Sequence, residues 1–211
     1  MTVPVPLSVL LVEKSWLLMY CESPALMRAS RLAAKPCSAL VLATGAQAIR
    51  VALAGDAANA VLSVNSLQDF AVFHEQLSRG GLAGGHGHVK KHVVIMGAGL
   101  IGCEFANDLL QAGHRVHVVY PSPRPLAALL PPEASLQLQT ALQELGAKWH
   151  FGTTVQAVDA LDAPARMSPE PQARAMDASV RPVLRITLAD RTQVRADAVL
   201  SAIGLRADTA L

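Results

Sequence analysis

Lys91-His92-Val93-Val94-Ile95-Met96-Gly97-Ala98-Gly99-Leu100-Ile101-Gly102-Cys103-Glu104-Phe105-Ala106 runs from an apolar strand pattern through Gly-x-Gly-x-x-Gly into an amphipathic helical pattern. Gly97 permits the tight turn out of the strand, Gly99 removes the side chain that would block backbone approach to a phosphate, and Gly102 lets helix and strand pack closely. Backbone N–H groups at the helix start, with the positive end of the helix dipole behind them, face the anion. The stretch predicts the seat of a dinucleotide pyrophosphate.

The flanks supply the context that a bare glycine motif lacks. Ile101, Phe105 and Leu109 fall four apart and predict the buried helical face, Gly113 supplies a stop, and Val116-His117-Val118-Val119-Tyr120 reads as the next buried strand. Strand, turn, helix and strand together make a βαβ half-unit.

The 211 residues have room for one good-sized core or two small domains. Ala, Leu and Val carry the apolar content while aromatics are 4% of residues, which suits an α/β layer fold with a buried parallel sheet. The formal charge of +2 and the lack of a basic stripe interleaved with aromatics argue against a nucleic-acid partner. Cys21, Cys37 and Cys103 are too scattered for a disulfide framework, and Cys103 reads as a small buried side chain. Pro4, Pro6, Glu13 and Lys14 interrupt the apolar N-terminus, so neither a signal peptide nor a membrane span is expected, and the expected compartment is the cytoplasm.

Along the chain, residues 1–36 stay unassigned beyond a possible strand at Val9–Val12 and an apolar patch at Trp16–Tyr20. Ala39-Leu40-Val41-Leu42-Ala43 is a buried-strand run ending at Thr44-Gly45. Ser66, with Asp69 three residues later, opens a helix through Phe70, Phe73 and Leu77. Residues 79–88 hold five glycines and read as a flexible connector, so 37–78 and 89–211 fall on either side of a domain boundary. His86 and His88 lie on that connector without acidic or thiol companions, and no metal site is expected. Pro131-Pro132-Glu133 opens a further helix that Gly146 ends; short strands follow at Lys148–Phe151 and Thr154–Val158. Residues 160–182 have no period and read as an irregular insertion. Val183–Leu188 and Val194–Ala196 form a hairpin, and Ala198–Gly204 is the last buried strand.

In order, Leu40–Ala46, the Gly97–Ala106 fingerprint, Pro123-Arg124-Pro125-Leu126 and Ser201-Ala202-Ile203-Gly204-Leu205-Arg206 resemble the FAD-dependent pyridine nucleotide-disulfide oxidoreductases. Gly97 through Leu109 is most similar to the rubredoxin–NAD reductase branch. The resemblance covers roughly residues 37–211. It implies an α/β, Rossmann-like FAD/NAD(P)-binding fold in which 37–78 is the end of the first FAD-domain segment with a linker helix, 79–88 a linker, and 89–211 the NAD-binding domain. The FAD domain is expected to be incomplete, because neither the family's first Gly-rich FAD loop nor its later Gly-Asp motif is found.

By the same resemblance, Ala43, Thr44 and Gly45 lie near the flavin, while Gly97, Ala98, Gly99, Leu100, Ile101 and Gly102 hold the NAD pyrophosphate. Glu104 is the implied catalytic position, close to the nicotinamide, and Gly204 lines the nicotinamide end. The implied activity passes electrons from NADH through FAD to a small electron-acceptor protein of the rubredoxin or ferredoxin type. A flavin-free NAD-binding fragment without turnover is the alternative. An unrelated single-domain dehydrogenase fits less well, because no Tyr-x-x-x-Lys pair or other obvious acid–base set follows the fingerprint.

One position departs from the common NAD pattern. Where many such sites end the second strand with Asp or Glu, whose carboxylate accepts from the ribose 2′-OH, this chain has Tyr120 followed by Pro121-Ser122. Arg124 is a candidate for a 2′-phosphate or an adenosine phosphate, and the choice between NADH and NADPH stays open at the level of sequence.

Overall fold

Apolar runs bounded by Gly and Pro become strands, and the amphipathic runs between them become helices. The computed structural model describes residues 8–12, 15–20, 39–78, 90–161 and 183–209, with the strands up to Ala43 described by backbone alone. In chain order the elements are β1 (Ser8–Val12), β2 (Ser15–Tyr20), β3 (Ala39–Ala43), β4 (Ala46–Ala48), β5 (Val61–Leu62), α1 (Leu67–Ser78), β6 (His92–Met96), α2 (Leu100–Gln111) and β7 (Arg115–Tyr120). They continue with α3 (Pro132–Glu144), β8 (Lys148–Phe151), β9 (Val155–Leu161), β10 (Val183–Leu188), β11 (Gln193–Ala196), β12 (Ala198–Ser201) and β13 (Leu205–Ala207).

The chain divides into two units, Met1–Gln47 with Leu205–Leu211, and Ala48–Gly204. In the first, β1, β2 and β3 form an antiparallel sheet in that order. The Asp208 N–H donates to the Gly45 carbonyl at 2.9 Å, and the Thr44 hydroxyl donates to the Asp208 carbonyl.

The second unit is built on a parallel sheet in the order β5-β12-β6-β7-β8. Its central strands are near-continuous apolar runs because both faces are covered. On one face Val93, Ile95, Val116, Val118 and Leu200 meet Phe73 of α1, Ala106 and Leu109 of α2, and Leu142 of α3. On the other, Val94, Met96, Val119 and Val199 meet Val158, Leu184 and Ile186 from the antiparallel meander β11-β10-β9. The alternation Val93/Val94/Ile95/Met96 therefore divides one strand between two cores, each fully buried aliphatic side chain contributing about 1.5–3 kcal/mol.

Local chemistry fixes the ends. The Asp69 N–H donates to Ser66 Oγ and the Asn65 N–H to Asp69 Oδ2, both at 3.1 Å, which closes the start of α1. The Asn65 N–H foremost, and then the Ser66 hydroxyl, hold the Asp69 carboxyl below its ordinary range. Asp197 fastens β6 beside β12: its carboxylate accepts the His92 N–H at 2.7 Å, its own N–H donates to the His92 carbonyl at 2.7 Å, and its carbonyl accepts from Gln76 Nε2 at 2.9 Å.

Three sequence expectations change. The buried face of α2 is Gly102, Cys103, Ala106, Leu109 and Leu110, while Ile101 remains 38% exposed, because small residues are what let the helix lie close to the sheet. Ala160 and Leu161 complete β9 and do not open the insertion. The last sheet strand ends at Ser201, after which Leu205–Ala207 forms the separate strand β13 and pairs with β4. The glycine-rich connector with His86 and His88, the bulk of the insertion, Cys21 and Cys37 lie outside the described residues. Among the described residues no helix is long and apolar enough to cross a membrane, and no group of three or more His, Cys, Asp or Glu could hold a metal ion.

Candidate functional site

The carboxyl end of β6 lies where the sheet's connections diverge, α2 and β7 leading to one side while β12 lies on the other. In open α/β sheets, crevices for ligands form at such switch points. Gly97 sits there with φ +110°, and its N–H donates to the Val119 carbonyl at 2.8 Å. A Cβ at Gly97 would come within 2.5 Å of the Ala202 carbonyl oxygen, just beyond β12.

The other two glycines are small for different reasons. A Cβ at Gly102 would lie 2.2 Å from the Gly97 carbonyl oxygen, so α2 can approach the turn only without it. A Cβ at Gly99 would meet nothing within 4 Å, and Gly99 has the ordinary φ of −78°. Neither packing nor backbone conformation requires glycine at 99. Gly99 is the N-cap of α2 and makes no side-chain cap, so it supplies no side-chain partner to the first-turn N–H groups. That geometry suits an anion such as a phosphate, which needs donors and unobstructed backbone.

Ala98 is buried, and its carbonyl accepts both the Leu126 N–H at 2.9 Å and the Cys103 thiol at 3.6 Å. Burial pushes the Cys103 thiol up to about 11, so it stays protonated at neutral pH. Leu100 is 64% exposed and stands with Ile101 at the mouth of the turn; Glu104 is exposed one turn into α2. Gly204, exposed at φ +119°, accepts the Ile49 N–H at 3.0 Å.

Tyr120 is the half-buried last residue of β7, packed against the helix-side core and in register with Phe151. The Arg124 guanidinium donates to the carbonyls of Leu130 at 2.8 Å and Ala127 at 3.1 Å, closing the loop after β7 on itself. Gly97 through Gly102, Tyr120 and Gly204 all belong to the Ala48–Gly204 unit; Ala43, Thr44 and Gly45 belong to the other. Gly45 is exposed, with φ +86° and nothing within 4 Å of its Cβ position.

Sequence reading missed Ala202 as the floor beneath Gly97 and Leu126 as the strap over Ala98. Only the parallel pairing of β12 with β6, and the left-handed Leu126 at φ +50°, reveal them. His117 Nδ1 and His150 Nε2, on the neighbouring strands β7 and β8, lie 2.9 Å apart. Burial, with smaller contributions from His150, Lys148 and His92, lowers His117 to about 4.

Comparison with known proteins matches this architecture. A family model described as pyridine nucleotide-disulphide oxidoreductase covers residues 28–211. The chain is 42% identical over 172 residues to a rubredoxin-NAD(+) reductase of Acinetobacter baylyi, covering 82% of this chain and 37% of that protein. It is 35% identical to a nitric oxide reductase FlRd-NAD(+) reductase of Vibrio vulnificus, covering 83% and 38%. The chain thus spans somewhat over a third of the length of these curated relatives. Among solved structures it resembles a ferredoxin reductase from Rhodopseudomonas palustris, with TM-score 0.57 and 24% identity over 77% of this chain and 33% of that one. A NAD-dependent persulfide reductase from A. fulgidus gives TM-score 0.59 and 23% identity over 77% and 25%. Those two likenesses concern the fold alone. From the extent of the family match, the chain belongs to the pyridine nucleotide-disulphide oxidoreductase family.

Proposed function

We propose that the Gly97–Gly102 turn binds NAD(H), and that the chain serves a FAD-dependent NAD(P)H oxidoreductase that passes electrons to a small redox protein of the rubredoxin or ferredoxin type. The observation that carries the reading is Gly99. Its side chain is absent where the protein's own packing does not require the absence, and the space adjoins the N–H groups of a helix start. The identity with rubredoxin-NAD(+) reductase supports the choice of acceptor class.

In this reading Gly97, Gly99, Gly102 and the backbone of Ala98, Leu100 and Ile101 hold the pyrophosphate. Glu104, exposed on α2, helps place the nicotinamide, Gly204 borders its far end, and Ala43-Thr44-Gly45 approach the flavin. Hydride donation and its conversion into single-electron transfer are chemistry that the bound nicotinamide and flavin supply. The chain's part is to orient them, and cytoplasmic redox metabolism is the setting proposed.

A second reading rests on the Ala48–Gly204 unit, which contains both cores and the whole glycine turn: a NAD-binding module that retains no flavin and has no turnover. The visible spectrum of the purified chain after FAD loading and removal of free flavin separates the two. Retained flavin that bleaches on NADH addition supports the oxidoreductase. NADH binding without retained flavin supports the module, and binding of neither refutes both.

A further inference from the structure

The corner of the site beyond β7 carries an inference about which nucleotide it takes, and it rests on the nucleotide-binding reading above. In a dinucleotide-binding βαβ unit, a carboxylate at the end of the second strand accepts from the ribose 2′-OH and repels a 2′-phosphate, whereas a nearby arginine favours the phosphate. Here that strand ends in Tyr120, and the sequence from Arg115 through Pro132 contains no Asp or Glu. The cation that follows the strand, Arg124, gives one N–H from each terminal nitrogen to the Leu130 and Ala127 carbonyls, which holds the guanidinium over its own loop. The same loop is tied to the glycine turn through the Leu126 N–H and the Ala98 carbonyl. Arg124 is therefore the staple of the loop beside the site. The hydroxyl-bearing residues at and just after the strand end are the half-buried Tyr120 and Ser122. Each neutral hydroxyl can accept from a ribose hydroxyl or donate to a phosphate oxygen.

We infer that this chain binds NADH and NADPH with little discrimination, because Tyr120 replaces the selecting carboxylate and Arg124 is committed to its own loop.

The test is equilibrium titration of the full chain with NADH and with NADPH, followed by nicotinamide fluorescence or calorimetry in one buffer. The inference expects dissociation constants within about tenfold of each other, and a larger ratio in either direction overturns it. Binding of neither nucleotide would overturn the parent reading and this inference with it. Tyr120→Asp is expected to tilt the ratio toward NADH by about 10–100-fold, the worth of one hydrogen bond to a charged group. Tyr120 packs on the core, so Ser122→Arg provides an independent variant: a free guanidinium at this corner should tilt the ratio toward NADPH by about tenfold or more. Arg124→Gln is expected to weaken both nucleotides in parallel by loosening the loop. Selective loss of NADPH in that variant would assign Arg124 to the phosphate and overturn the inference.

Discussion

Adding one methyl group at two glycines of the same turn should have opposite consequences. At Gly102 the new Cβ would sit 2.2 Å from the Gly97 carbonyl oxygen and 3.0 Å from its carbon, with Ala202 Cβ at 3.5 Å. Backbone on one side and the helix on the other leave no flexible side chain to give way. Gly102→Ala should therefore cost about 1–3 kcal/mol or more in overpacking. For a chain of this size that is a fall in Tm of roughly 2–12 °C. At Gly99 the added Cβ meets nothing within 4 Å and φ is −78°. Alanine is a poorer N-cap than glycine but restricts the unfolded chain, so the two effects offset and stability should change by less than about 1 kcal/mol. NADH affinity should behave differently. A methyl group in the approach path holds the pyrophosphate off the first-turn N–H groups, and losing even one charge-assisted hydrogen bond weakens binding about 10–100-fold. Thermal melts and NADH titrations of Gly99→Ala and Gly102→Ala read both quantities. If Gly99→Ala melts as low as Gly102→Ala, or binds NADH like the parent, the assignment of the open space to a phosphate is wrong.

Removing the Asp197 side chain strips a carboxylate from the half-buried start of β6, and leaving the His92 N–H without that partner should lower stability by about 1 kcal/mol in denaturant titration; an unchanged midpoint would contradict its fastening role. His117 is lowered from 6.5 to about 4, chiefly by burial, so the unfolded chain takes up a proton more readily between those values. Its stabilisation is complete above pH 6.5, falls as pH drops toward 4, and amounts to on the order of 1–2 kcal/mol after solvent screening of a half-exposed ring. Urea midpoints that decline from pH 7 to 4.5 in the parent and much less in His117→Gln are expected; equal declines would exclude His117 as the cause. In chain that has retained flavin, Glu104→Ala should slow flavin reduction by NADH while changing NADH affinity little. Equal reduction rates would remove Glu104 from the site.

Much of this was written in short-range pattern. The apolar run before Gly97, the Ser66–Asp69 cap and the Val183–Ala196 hairpin are decided within a few residues, and each forms where local chemistry placed it. What pattern could not supply was long-range. β5 is two residues long and becomes a strand only because Val61 and Leu62 pair with Val199 and Leu200 of β12. Of the helical spacing Ile101, Phe105 and Leu109, Leu109 is buried and Phe105 packs on the core while Ile101 is exposed, since periodicity weighs size and hydrophobicity and the close approach to the sheet also selects Gly102, Cys103 and Ala106. Arg124 looked available in sequence because its partners are backbone carbonyls, which every residue has and no sequence pattern marks.

The central claim, that a nucleotide pyrophosphate rests on the Gly97–Gly102 turn, is tested most directly by following backbone amide resonances during NADH titration. The account predicts saturable shifts at Gly99, Leu100, Ile101 and Gly102, with Gly113 and Gly146, which follow the ends of α2 and α3, left in place. NADH binding that moves resonances elsewhere and leaves those four unmoved would contradict it.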